Sequence, residues 1–146
     1  MSDEPAEAAE PKRKKGIYVG APACFALELA CQQLHRAFID DGEGYGGGIY
    51  LVGSALERPD WRDIDVRLML GGGAFDRLFP DAGGAKGGRW EFDPRWILLS
   101  TTISAWLRDQ TGLPIDFQFQ PQSAANERHK GRRNALGMIF SKGGGE

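Results

Sequence analysis

Runs of glycine cut this chain into short pieces, and no regular element can be expected to cross one. The 21 glycines among 146 residues cluster at 42–48, 71–73, 83–88 and 143–145, where the missing side chains weaken helix and strand alike. The runs have no three-residue period, which excludes collagen. Disorder of the whole chain is excluded as well, because 41% of the residues are hydrophobic, four are Trp, eight are Phe and the net charge is only −2. A chain of this length makes one domain and can bury about two-thirds of its unfolded surface. The glycine runs are therefore joints between solid pieces.

Periodicity assigns the pieces. Over 22–40, Cys24, Leu27, Cys31, Leu34 and Phe38 recur at three and four spacing, an apolar helical stripe with Pro22 at its start and Glu28, Gln32 and Arg36 elsewhere. Residues 48–53 are aromatic and β-branched, a buried strand. Residues 64–70 alternate, with Ile64, Val66, Leu68 and Leu70 on one face and Asp65, Arg67 and Met69 on the other. Residues 74–79 give one or two helical turns. Asp93-Pro94 caps a second long helix with Trp96, Leu99, Ile103 and Trp106 or Leu107 inward, ending at Gly112-Leu113-Pro114. Residues 115–120 alternate again, and 123–140 read as a short helix, a break at Gly131 and a last segment at 138–140. Helix, strand, strand, helix, strand and a basic element make a small α/β sandwich; no GxGxxG follows a strand.

The N-terminal stretch carries Asp3, Glu4, Glu7 and Glu10, then Lys12, Arg13, Lys14 and Lys15, with no apolar core, so it reads as a solvated tail and not as a signal peptide. No apolar run reaches the ~18 residues of a membrane span. Cys24 and Cys31, seven apart on a helix, stand about 10 Å from each other along its axis, too far for a disulfide. Two thiols without further ligands make no zinc site. Reduced cysteines and no membrane contact together predict a cytoplasmic protein. His35, beside the first helix's stripe, reads as a boundary residue.

The chemistry lies where polar residues stand at strand positions. Asp63 and Asp65 flank Ile64, and residues two apart on a strand point the same way. Paired carboxylates repel, and a cation between them relieves it; hard oxygen ligands select Mg²⁺ or Mn²⁺. Gly53-Ser54 closes the preceding strand, eight residues before Asp63, and offers backbone N–H groups and a hydroxyl to a phosphate. Asp116 faces away from the apolar side of its own strand. If the two strands are neighbours, three acids converge, the arrangement that holds two cations in phosphoryl transfer. Alone, a DxD is more often a solvent face and a Gly-Ser an ordinary turn; their spacing and order carry the weight.

The joint pattern of Leu51-Val52-Gly53-Ser54, Asp63-Ile64-Asp65-Val66 and Ile115-Asp116-Phe117 resembles the nucleotidyltransferase superfamily that includes DNA polymerase β and the minimal nucleotidyltransferases. It looks closest to short nucleotidyltransferase-like proteins of phages and bacteria. The resemblance covers roughly residues 22–121. It implies an α/β (α+β) sandwich, a mixed sheet of about three to five strands with helices packed on one face. The domain would span 17–140, between a disordered tail at 1–16 and a flexible tail at 141–146. It further implies that Asp63, Asp65 and Asp116 are catalytic and hold two Mg²⁺ or Mn²⁺ ions, and that Gly53 and Ser54 hold phosphates. An NTP would be attacked at its α-phosphate by a hydroxyl of a protein, an RNA or a small molecule, releasing pyrophosphate. Pro59, in the spacer between Gly53 and Asp63, argues against a long helix there. Tyr45, Trp61 and Trp90 are the candidates for stacking on a base.

Charge is placed unevenly. Residues 16–122 carry 14 acids and nine bases, whereas 123–142 carry Glu127 against Arg128, Lys130, Arg132, Arg133 and Lys142. The basic segment follows Asp116 closely and is expected to return over the site, with Lys130, Arg132 and Arg133 on phosphates. Arg62 and Arg67 are further candidates, although Arg67 shares the parity of Asp65 and can equally pair with it. His129 is not needed by two-metal chemistry. Two other classes stay open: a non-catalytic nucleotide-binding or protein-interaction module of the same fold, and a small nucleic-acid-binding protein using the basic segment.

Overall fold

The structure is a computed structural model and describes residues 17–39, 47–82 and 89–138. The tails expected at 1–16 and 141–146, Tyr45, the glycine run 83–88 and the end of the segment 138–140 lie outside these residues. Among the described residues, four helices and four strands follow in the order α1 (Ala23–Phe38), β1 (Gly48–Val52), β2 (Ile64–Leu70), α2 (Gly72–Leu78), α3 (Pro94–Thr111), β3 (Ile115–Pro121), α4 (Gln122–Arg128) and β4 (Asn134–Ala135). Short 3₁₀ turns lie at Ser54–Leu56 and Trp90–Phe92. The strands form one mixed sheet in the order β3-β2-β1-β4. β1 is antiparallel to β2 and β4, while β2 and β3 are parallel. This is the α+β mixed sheet that the pattern implies, and the spacer after Gly53 holds a single 3₁₀ turn, as Pro59 requires. Among the described residues no helix is long and apolar enough to cross a membrane.

Period-2 alternation divides the sheet into two unlike faces. Ile49, Leu51, Ile64, Val66, Leu68, Ile115, Phe117 and Phe119 share one face and are buried with Leu27, Cys31 and Leu34 of α1, Leu107 of α3 and Phe75 of α2. Phe119 is the aromatic centre, met edge-on by Phe38, Phe79 and Phe117 at centroid distances of 5.1, 5.3 and 5.1 Å. Both cysteines are free thiols, and burial, then the charge of Glu28, pushes the Cys31 thiol well above its ordinary range. The opposite face carries Tyr50, Val52, Asp65, Arg67, Met69, Asp116, Gln118 and Gln120. The long helices keep to the first face; on the second, short α4 packs through Ala125 against Val52 and Met69.

α3 does more than fill the core. β3 is an edge strand, and its outward backbone groups are taken by side chains of α3. Trp96 Nε1 donates to Phe119 O at 2.8 Å and Arg108 Nη1 to Ile115 O at 2.8 Å. Ser104 Oγ accepts from Phe117 N at 2.8 Å and donates to Phe117 O at 3.2 Å. Ser104 and Arg108 are four apart on the helix, a rise of about 6 Å, which matches the roughly 6.7 Å between alternate strand residues. The buried line of α3 is therefore Trp96, Ser100, Ser104 and Leu107, with the expected Leu99 and Ile103 only partly buried beside it.

α1 begins at Ala23, one residue after Pro22. Its stripe is as expected except that Glu28 is buried. The carboxylate accepts a 2.7 Å bond from the N–H of Gly137, and a Cβ on Gly137 would stand 2.7 Å from Cys31 O. Leu136 N donates to Ile49 O at 2.8 Å, so the chain after Gly131 closes against both β1 and α1. His35 is buried at the edge of the same stripe.

Candidate functional site

The site gathers at the end of β1 on the second face of the sheet. Gly53 leaves β1 at φ +86° and ψ −155°, a conformation open essentially to glycine alone. A Cβ there would lie 2.5 Å from Asp65 Oδ2, so the bare backbone of Gly53 lies against that carboxylate. Val52 and Asp65 are register partners across β1 and β2. Asp65 is in turn the register partner of Asp116 on the parallel strand β3. Two of the three acids singled out in the sequence are thus neighbours across strands about 4.8 Å apart.

Between them lies Arg67, only 8% exposed. Its Nη2 sits 3.0 Å from Asp116 Oδ2 and 3.8 Å from Asp65 Oδ1. Its Nη1 donates to the backbone oxygens of Asp116 at 2.7 Å and Val66 at 3.1 Å. Its Nε is buried with no hydrogen-bond partner. Burial raises the Asp65 carboxyl above the ordinary carboxylate range; Arg67 opposes this, while Asp116 and Asp63 add to it. Asp63 precedes β2 and is exposed, so it acts on Asp65 from the strand mouth and not from a paired strand position. Among the described residues, no three His, Cys, Asp or Glu side chains group so as to hold a metal ion. Arg62, beside Asp63, is exposed.

The basic segment does return to the glycine turn. A cavity of about 230 Å³ is lined by Gly53 and Glu57 on one side and by Arg128, His129, Lys130 and Arg132 on the other. Arg132 Nη2 also donates to Leu56 O, tying the segment to the 3₁₀ turn that starts at Ser54. Gly53, Lys130 and Arg132 are thereby brought together as the sequence suggested. Arg133 is not part of this cavity: it donates to Ala125 O, His129 O and Asn126 Oδ1 and lies over the Tyr50 ring. Arg128 pairs with Glu91 at 2.9 Å and lies over the Trp90 ring.

His129 belongs to the cavity wall by a route the sequence did not disclose. Gln120 Nε2 donates to Gln118 Oε1 at 3.2 Å, which leaves Gln120 Oε1 to accept from His129 Nε2 at 3.1 Å. Burial lowers the His129 pKa, and Arg67, Arg133 and Arg128 lower it further. Glu57 was missed, whereas Arg128 lies in the basic segment expected to return; a glycine flanked by bases, Lys130-Gly131-Arg132, is the sequence signal that this loop bends back.

Of the aromatic candidates, Trp61 and Trp90 are committed elsewhere. Trp61 Nε1 donates to Tyr18 O at 2.7 Å, and Trp90 is buried against Phe75 and Trp96. Tyr50 stands on the open face as the register partner of Arg67 across β1 and β2. Comparison with protein-family models, with curated proteins and with solved structures finds no match to this chain.

Proposed function

We propose that this protein is a divalent-metal-dependent nucleotidyltransferase that moves an NMP from an NTP to a hydroxyl acceptor. One observation carries the reading: the Gly53 turn lies against Asp65, the register partner of Asp116, and also lines the basic cavity. Carboxylates and phosphate-sized cationic space are therefore joined through a single backbone position.

The donor set suits a hard cation. Mg²⁺ is commonly held by one or two carboxylates plus phosphate oxygens, and Asp65 and Asp116 supply two, with Asp63 at the mouth of β2. Bound there, the ion would offset charge on the phosphates in the transition state. Lys130 and Arg132 hold the terminal phosphates, and the Gly53 backbone allows close approach. The acceptor oxygen forms a bond to the α-phosphorus, the bond from that phosphorus to the bridging oxygen breaks, and pyrophosphate leaves with the electron pair. Asp116, exposed on the open face, takes the hydroxyl proton. Preorganised charge supplies most of the acceleration.

A second reading, a nucleotide-binding module without transfer, is favoured by Arg67, whose guanidinium already satisfies Asp116. A nucleic-acid-binding role has less support, because Arg128 and Arg133 are engaged within the fold. The experiment is incorporation of label from α-³²P NTPs with Mg²⁺ into the protein itself, RNA and small alcohols. Transfer is expected, with loss of at least ~100-fold in Asp65→Asn and Asp116→Asn. Thermal stabilisation by NTP without transfer to any acceptor would favour the module. Transfer indifferent to both substitutions would sink the proposal.

A further inference from the structure

We infer that the outward face of α3 is a self-association surface, on which two copies of this protein pair through antiparallel α3 helices about a two-fold axis near Thr102. The inference is independent of the transferase reading.

α3 is 18 residues long, about 27 Å. Its buried line, Trp96, Ser100, Ser104 and Leu107, serves the core and the edge of β3. On the opposite side Arg95, Leu98, Thr102, Ala105 and Asp109 recur at alternating spacings of three and four, and all five are exposed. That spacing is the narrow seam of a paired helix, whereas the outer face of a solitary surface helix is charged and polar. From Trp96 to Leu107 α3 carries no charged residue. Leu98 is 64% exposed, with Ile97 beside it at 41%. Thr101 Oγ1 donates to Ile97 O at 2.8 Å, so its hydroxyl is satisfied within the helix. Thr102 and Ala105 are small enough to let a second helix approach to the 8–10 Å of a packed pair.

The charges at the two ends select the partner. Arg95 stands in the first turn of α3 and Asp109 in the last. Each is at the unfavourable end of its own helix, whose dipole prefers acids at the N-terminus and bases at the C-terminus. Among the described residues neither has a hydrogen bond or an ion pair. The other end charges are engaged: Asp93 caps Trp96 N, and Arg108 holds Ile115 O. An antiparallel copy relieves the misfit. Arg95 and Asp109 are equally far from Thr102, so a two-fold axis there sets Arg95 against Asp109 of the partner subunit at both ends, each beside a helix end of the favourable sign. A parallel copy would oppose like charges. A membrane surface calls for several Lys or Arg, and this face offers Arg95 with an acid. The candidate site opens on the other face of the sheet, so pairing leaves it accessible in both copies.

The test is sedimentation equilibrium of the full chain over a concentration series. The wild type is expected to pass from the 16.0 kDa monomer mass to twice that, with the micromolar affinity of a small interface. Leu98→Glu buries a carboxylate in each half of the seam and is expected to weaken association at least ~10-fold. Arg95→Asp opposes like charges at both ends and is expected to weaken it as well; adding Asp109→Arg to that variant is expected to restore the dimer. Circular dichroism checks each fold, and the charge pair serves should Leu98→Glu misfold. A monomer at every concentration, a dimer indifferent to Leu98→Glu or Arg95→Asp, or a charge swap that fails to restore association overturns the inference. So does a monomeric chain that binds lipid vesicles through Leu98.

Discussion

At Gly53 a positive φ and a missing side chain are needed together, the first to turn the chain out of β1 and the second to let Asp65 approach. Gly53→Ala is expected to cost roughly 1–3 kcal/mol for the strained backbone alone, and the 2.5 Å approach to Asp65 Oδ2 forces that carboxylate to move. Urea unfolding measures the first effect, and an unchanged midpoint would contradict the turn described. Asp65 and Asp116 could be read from sequence because strand parity puts a residue on a face, and parity survives small errors in strand ends. Asp63 shows the limit of that argument, since the strand begins one residue after it. Glu28 shows another: its helical position marks a boundary, and its partner, the N–H of Gly137, is a backbone group that no side-chain pattern advertises.

Among the elements, α3 and β3 have the most direct chemical link. Ser104 both accepts from and donates to Phe117, whereas Ser100 Oγ is buried without a partner. Replacing Ser104 by Ala leaves the Phe117 N–H buried and unpaired and is expected to cost about 1–3 kcal/mol. Ser100→Ala removes an unsatisfied hydroxyl and is expected to be neutral or stabilising. Parallel denaturation curves of the two variants check this, and equal losses would refute the edge contact. α3's ends were legible, because Asp93 caps it through Trp96 N at 3.0 Å and Gly112 closes it. Its buried side was not: apolar spacing pointed to Leu99 and Ile103, and a serine gives no sign that it faces a strand edge until that strand is placed.

At the scale of the whole molecule, the charge asymmetry of the sequence becomes a basic wall over an acidic face. The order of helices and strands followed from periodicity and punctuation; their pairing and the path of the basic segment did not, the latter because β4 is two residues long and is fixed by tertiary contacts alone. If the cavity binds polyphosphate, the wild type gains about 2.7 kcal/mol when the NTP stands at 100 times its Kd. Lys130→Ala with Arg132→Ala is expected to abolish that gain in a thermal-shift titration, and added salt to weaken it in the wild type. Stabilisation that survives both changes would place the phosphates elsewhere. The bond from Gly137 to Glu28 joins residues 109 apart in sequence. A chain lengthening from its amino end at about 5–20 residues per second therefore presents both acids and the sheet between them roughly 1–3 seconds before the cavity wall at 128–132 arrives. Until then β1 has an unpaired edge and Glu28 lacks its partner, so the interval just before closure is when a nascent chain of this kind is most open to a chaperone or a protease.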